Sequence, residues 1–209
     1  MKRIAVLVSG ASRGSNMRAI IEACQSGRIP NSAVVAVIGA RDEAPALHIA
    51  RERGVSTAVV NPQEFPDADI YGDALLWVLQ RAQPHLICLA GYMRLLPQPI
   101  VEAFPLQVMN IHPALLPLFG GKGMYGLKVH QAAIESGMKV TGCTVHFVDE
   151  RYDTGPIILQ RCIPILDDDT PETLAARLLP VEHETYIEAI TLFVQDKLHV
   201  DGKRVKVVG

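Results

Sequence analysis

The sequence contains no paired-cysteine motif. Its four cysteines, Cys24, Cys88, Cys143 and Cys162, are scattered, with no C-x-x-C and no metal-ligand spacing. That excludes a disulfide scaffold and a zinc module, and it predicts a reducing, cytoplasmic setting. Cys88 and Cys143 lie inside apolar runs and read as small buried hydrophobes. Long hydrophobic runs are missing too, and no stretch approaches the ~20 residues that cross a bilayer. The opening "MKRIAVLVSG" is too short in its apolar part for a signal-peptide core and reads as a buried strand. Charge of one sign is also lacking. With 20 Lys and Arg against 22 Asp and Glu, the net charge of −2 excludes a general attraction to nucleic acid. The basic "KRVKVV" near the end reads as a solvated tail strand. Repeats, low-complexity segments and linkers are absent, so one domain is expected, with neither membrane nor nucleic acid as partner.

What is present is an alternation of short apolar runs and helical patterns over 209 residues. "IAVLVSG", "AVVAVIG", "STAVV", "HLICLAG" and "QVMNIH" read as strands. Helices are expected over about Ser15–Gln25, Ala44–Arg53 and Asp69–Gln83, with a short one after Pro97. This βαβα order predicts an α/β fold with a doubly wound, mostly parallel, Rossmann-like sheet. The C-terminal half changes character. "KVTGCTVHFV" and "GPIILQRCIPI" are close in sequence with no helix between them, so they are expected to pair antiparallel. A long helical pattern starts at Thr170, a cap with Pro171 in the first turn, and Pro180 predicts a kink or break inside it. "HVDGKRV" reads as a hairpin through Asp201-Gly202.

Four stretches could carry chemistry. "NIHP" places Asn110 and His112 two apart at a strand end, so both side chains face one way and Pro113 stops the pairing. Such a pair can close a structural hydrogen-bond network, or offer two donors to a developing oxyanion. "SGASRGSN", between a strand and a helix, is either a glycine-rich turn capped by Ser15 or an anion site on a helix N-terminus. "DERYDTGPI" is either a solvated acidic turn or the source of a carboxylate, Asp153, that orients an imidazole and favours its cation. "AGYMRLLP" is either a plain strand-to-helix connection or a pocket wall. His130, His146 and His183 read as isolated packed or capping histidines.

In this order, "GSN", "AGYMRLL", "NIHPALLP" and "DTGPI" resemble the folate-dependent formyltransferases, over nearly the whole chain. The resemblance implies transfer of a formyl group from 10-formyltetrahydrofolate, as co-substrate and without a metal, to the amine of glycinamide ribonucleotide in purine biosynthesis. It implies Asn110, His112 and Asp153 as the catalytic set. Gly14, Ser15 and Asn16 would hold the substrate phosphate, and Glu182 would lie near the substrate amine. Met93, Arg94, Leu95 and Leu96, with His146, Val148 and Asp149 opposite, would bind folate. Residues 1–110 would form a nucleotide-binding half and 111–209 a catalytic and folate-binding half of one domain, working as a monomer or homodimer. The chain departs from the family pattern in three places: extra residues "ASR" before Gly14, no Arg near Ala68, and a long "LFGGKGMYGLKVH" whose glycines predict a mobile flap. A formyltetrahydrofolate hydrolase would be expected to carry an N-terminal regulatory domain. A formyltransferase acting on initiator tRNA would be expected to carry a C-terminal nucleic-acid-binding domain. A non-catalytic nucleotide-binding module would not need Asn110, His112 and Asp153 to converge.

Overall fold

Near-continuous apolar runs form the first strands because parallel strands are covered on both faces. In the computed structural model, residues 1–10 and 13–209 are described; Ala11 and Ser12 of the "ASR" insertion lie outside them. The chain divides into two units, Met1–Met109 and Asn110–Gly209.

In the first unit, β1 (Lys2–Leu7), β2 (Ser32–Gly39), β3 (Thr57–Val59) and β4 (Leu86–Leu89) lie in the order β3-β2-β1-β4, followed by β5 (Val108–His112). The pairs β1·β2, β1·β4 and β2·β3 are parallel. Ile4, Ala5 and Val6 are fully buried. The helices are α1 (Ser15–Gln25), α2 (Pro45–Glu52), α3 (Ala68–Ala82) and α4 (Gln98–Ala103). Helix α1 buries Met17, Ile20 and Ile21, a stripe at i, i+3 and i+4. Helix α3 is capped by Asp67, whose Oδ1 accepts from the N–H groups of Asp69 (3.0 Å) and Ile70 (2.9 Å).

Strand β5 runs across the boundary and ends in the second unit. There the order continues through β6 (Val140–Phe147), β7 (Ile157–Pro164), β9 (Arg204–Val207) and β8 (Leu198–Asp201). The β6·β7 and β8·β9 pairs are antiparallel, as their proximity in sequence required. The fold is therefore α/β, with a largely parallel sheet and antiparallel strands towards the C-terminus.

Three sequence expectations need correction. Of the kink or break expected at Pro180, the break is absent: helix α6 (Pro171–Val194) continues through it. The lost N–H bond is outweighed by packing on both sides of it, where Leu178 and Tyr186 are fully buried. Helix α5 (Leu127–Glu135) occupies the end of the glycine-rich segment expected to be a flap. Ser15 is not the cap of α1: Gly14 holds that position, with no side-chain cap.

Candidate active site

The catalytic candidates Asn110, His112 and Asp153 come together within the second unit. Strand β5 delivers the first two, and the loop after β6 delivers the third. Asp153 has a left-handed backbone, φ 56°. That conformation turns its carboxylate inward, where one oxygen faces each of two imidazoles. Oδ2 lies 3.7 Å from His112 Nδ1, and Oδ1 lies 3.6 Å from His146 Nε2. The Gly121 N–H donates to Oδ2 at 2.8 Å. The loop also depends on Gly155, because a Cβ there would stand 1.8 Å from the Phe147 carbonyl oxygen.

Hydrogen bonds to carbonyls fix both ring tautomers. His112 Nε2–H donates to the Phe119 carbonyl at 2.8 Å, which leaves Nδ1 towards Asp153. His146 Nδ1–H donates to the Phe147 carbonyl at 2.8 Å, which leaves Nε2 to accept from Asn110 Nδ2 at 3.2 Å. Asn110 Nδ2 also lies 3.5 Å from Asp153 Oδ1. His146 was read as an isolated histidine that resemblance assigned to the folate pocket. It is a 2 % exposed member of this cluster. The available signal was a lone imidazole in the otherwise apolar end of "TVHF".

Charge follows the geometry. Burial pushes the Asp153 carboxyl up, but the His146 contact, the His112 charge and the Gly121 N–H together hold it below the usual range. For His112 burial wins. It lowers the imidazole below 6.5 although Asp153 and the Phe119 carbonyl both pull upward. The expectation that Asp153 keeps His112 cationic is therefore corrected: the carboxylate acts in the expected direction and is outweighed. His130 on α5 is buried as well, and is lowered by burial and then by the His112 charge.

The turn after β5 is fixed by Thr144, which is fully buried. Its hydroxyl donates to the Ala114 carbonyl (2.6 Å) and accepts from the Leu116 N–H (3.0 Å) and from Gln160 Nε2 (2.9 Å). The glycine-rich segment that follows is tied to the cluster through the Phe119 carbonyl and the Gly121 N–H.

The other predicted residues fall as follows. Asp149 shapes its own loop, its Oδ1 accepting from the Arg151 N–H (3.2 Å) and the Thr154 hydroxyl (2.7 Å); Val148 beside it is half-buried. Glu182 lies on α6 and is 9 % exposed. Burial, reinforced by the nearby Glu182 charge, pushes the Cys143 thiol up to about 11, so that thiol stays protonated and unreactive.

In the first unit, Gly14 opens α1 with φ 76°, and a Cβ there would meet Ala46 Cα at 3.0 Å. Ser15 and Asn16 form the first turn, whose N–H groups suit an anion. Met93 and Leu95 are exposed, while Leu96 is buried. Met93 and Arg94 border a cavity of about 280 Å³.

An asparagine amide, two imidazoles and a depressed carboxylate around one point are equipped for acyl-type transfer. The chain matches the Formyl transferase family over residues 2–190 and belongs to it. It is a formyltransferase. Among its relatives, the chloroplastic phosphoribosylglycinamide formyltransferase of Arabidopsis thaliana is 41 % identical over 94 % of this chain and 67 % of its own length. The phosphoribosylglycinamide formyltransferase of Haemophilus influenzae is 38 % identical over 97 % of this chain and 95 % of its own. The crystal structure of glycinamide ribonucleotide transformylase 1 from Symbiobacterium toebii superposes with a TM-score of 0.93, at 44 % identity, over 100 % of this chain and 95 % of that one. Coverage of some multifunctional relatives falls to 14 % of their length. No helix among the described residues is long and apolar enough to cross a membrane.

Proposed function

We propose that this protein transfers the formyl group of 10-formyltetrahydrofolate to the amine of glycinamide ribonucleotide. The observation that carries the reading is the convergence of Asn110, His112 and Asp153, with His146 completing the cluster. The neutral amine attacks the formyl carbon and the carbonyl oxygen becomes an oxyanion, to which Asn110 Nδ2 donates. The attacking nitrogen must lose a proton, and the departing folate nitrogen must gain one. His112 Nδ1 takes the proton from the attacking nitrogen and returns it to the departing folate nitrogen as the folate N–formyl bond breaks, and the Asp153 carboxylate 3.7 Å away stabilises the imidazolium in between. A resting neutral imidazole suits that role better than a resting cation would. His146 holds the Asn110 amide in its donor orientation.

In this reading, the Gly14–Asn16 turn takes the substrate phosphate, Met93–Leu96 forms a folate wall, and Glu182 faces the substrate amine. Residues 1–110 are the nucleotide-binding half and residues 111–209 the catalytic half. Four free thiols fit a reducing compartment such as the cytoplasm. The test is an assay of the purified protein with each substrate omitted in turn. Product is expected only with both. Folate deformylation at an undiminished rate without the ribonucleotide would overturn the reading in favour of a hydrolase.

A further inference from the structure

The β8·β9 hairpin lies beyond residue 190, where the family match ends, and it touches the loop that carries Asp153. Its turn, at Gly202-Lys203, meets that loop at two points. Lys203 Nζ donates to the Thr154 carbonyl at 3.3 Å. Arg204, the next residue, stands in parallel register with Ile157, the first residue of β7. On its other side Ile157 is the register partner of His146, which faces Asp153 Oδ1 at 3.6 Å. Thr154 directly follows Asp153 and is held twice. Its hydroxyl donates to Asp149 Oδ1 at 2.7 Å, and its carbonyl accepts from Lys203. The two bonds orient the peptide that leaves Asp153, whose backbone is left-handed at φ 56°.

We propose that Lys203 is a positioning residue for formyl transfer, acting through the Thr154 carbonyl on the placement of the Asp153 carboxylate. The proposal rests on the formyl-transfer reading above. Asp153 sets one oxygen before each of two imidazoles, 3.7 Å from His112 Nδ1 and 3.6 Å from His146 Nε2. A carboxylate that serves two partners at once tolerates little rotation of its own backbone. Asp149 restrains the loop from within, through the Arg151 N–H and the Thr154 hydroxyl. Lys203 restrains it from a separate element, and a charged donor holds a carbonyl more firmly than a neutral one. Without the ammonium, the pairing at Ile157 is left to carry the attachment. Lys206 lies in the same hairpin and pairs with Asp201 at 3.6 Å, so it serves as the control.

The experiment compares the full chain as wild type, Lys203→Met, Lys203→Arg and Lys206→Met. Formyl transfer is followed by steady-state kinetics, and exchange of the Gly121 amide hydrogen by NMR. The Gly121 N–H donates to Asp153 Oδ2 at 2.8 Å, so its protection reports where the carboxylate stands. Lys203→Met should lower kcat about fivefold, a modest misplacement of a reacting group, while both KM values stay within about twofold. Gly121 exchange should quicken by about the same factor. Lys203→Arg keeps a charged donor and should restore most of both, and Lys206→Met should match wild type. Either change in Lys203→Met without the other overturns the proposal, as does the absence of both. A lowered melting temperature with kcat unchanged therefore counts against it, because the contact would then serve stability alone. Failure of Lys203→Arg to rescue overturns it too, and so does an equal loss in Lys206→Met. Absence of formyl transfer by wild type would defeat the functional reading instead, while Gly121 exchange still decides whether Lys203 places Asp153.

Discussion

The polar groups of the two units are used in opposite ways. In the second unit nearly every candidate donor and acceptor is bonded to another: Asn110 to His146, His112 to Phe119, Asp153 to Gly121. In the first unit some polar groups stand without such bonds among the described residues. Arg41 and Arg94 line a cavity with no carboxylate among its lining residues, and among the described residues the buried Ser9 hydroxyl has no hydrogen-bond partner. A preorganised, mutually bonded cluster does not have to reorganise as charge develops, which is what a reacting centre needs. Open groups around a backbone turn or cavity suit the holding of ligands. Substitutions in the second unit should therefore act on kcat or stability, and substitutions in the first on KM.

The largest effect is expected at Asp153. Asparagine tolerates the left-handed backbone, so Asp153→Asn removes charge with little strain. It should lower kcat about 1,000-fold, with both KM values nearly unchanged, in steady-state assays. Next comes Thr144→Val, which leaves the Leu116 N–H and the Gln160 amide short of a partner in a buried site. Denaturant unfolding should show a loss of about 2–3 kcal/mol. If stability holds, the turn after β5 is fixed by something other than this hydroxyl.

Gly14→Ala tests the other side of the comparison. The strained φ and the approach to Ala46 should distort the first turn of α1 and raise the ribonucleotide KM about tenfold, with kcat little changed. A matching fall in kcat would mean that the two units do not divide the work as described.

The smallest effect concerns pH. Burial lowers His112 and His130, so the folded state resists their protonation. The stability they contribute is full above the unfolded value of about 6.5 and is lost as pH falls from there towards their folded values. Asp153 is depressed, so its contribution is lost only at more acid pH, as the carboxylate protonates below its usual range. Melting temperature should be level above about pH 7 and fall below it. His130→Phe should shallow that fall, since among the described residues the His130 Nδ1 has no hydrogen-bond partner to lose.

Much of this was legible in the sequence where periodicity and turn chemistry agree. The βα alternation, the antiparallel β6·β7 pair and the β8·β9 hairpin all follow from short-range pattern, although the hairpin turns at Gly202-Lys203, one residue beyond the expected Asp201-Gly202. So does the Thr170 cap, whose hydroxyl and that of Thr173 exchange bonds with each other's backbone N–H. The i, i+2 spacing of Asn110 and His112 put both on one face. What was not legible depends on contacts distant in sequence. Helix α5 was hidden because its glycine-rich approach read as a flap. No break follows at Pro180, since local rules carry no record of the packing around it. His146 joins Asn110 across 36 positions, a contact without a sequence signature. The resting state of His112 depends on the balance between burial and an adjacent carboxylate. Sequence supplied the carboxylate and could not supply the burial.

That balance is the centre of the account, and the NMR titration of His112 measures it directly. In the ligand-free protein the imidazole should titrate below 6.5, and in Asp153→Asn it should titrate lower still, because the upward pull of the carboxylate is gone while the burial remains. A value above 6.5 in wild type, or no change on neutralising Asp153, would contradict it.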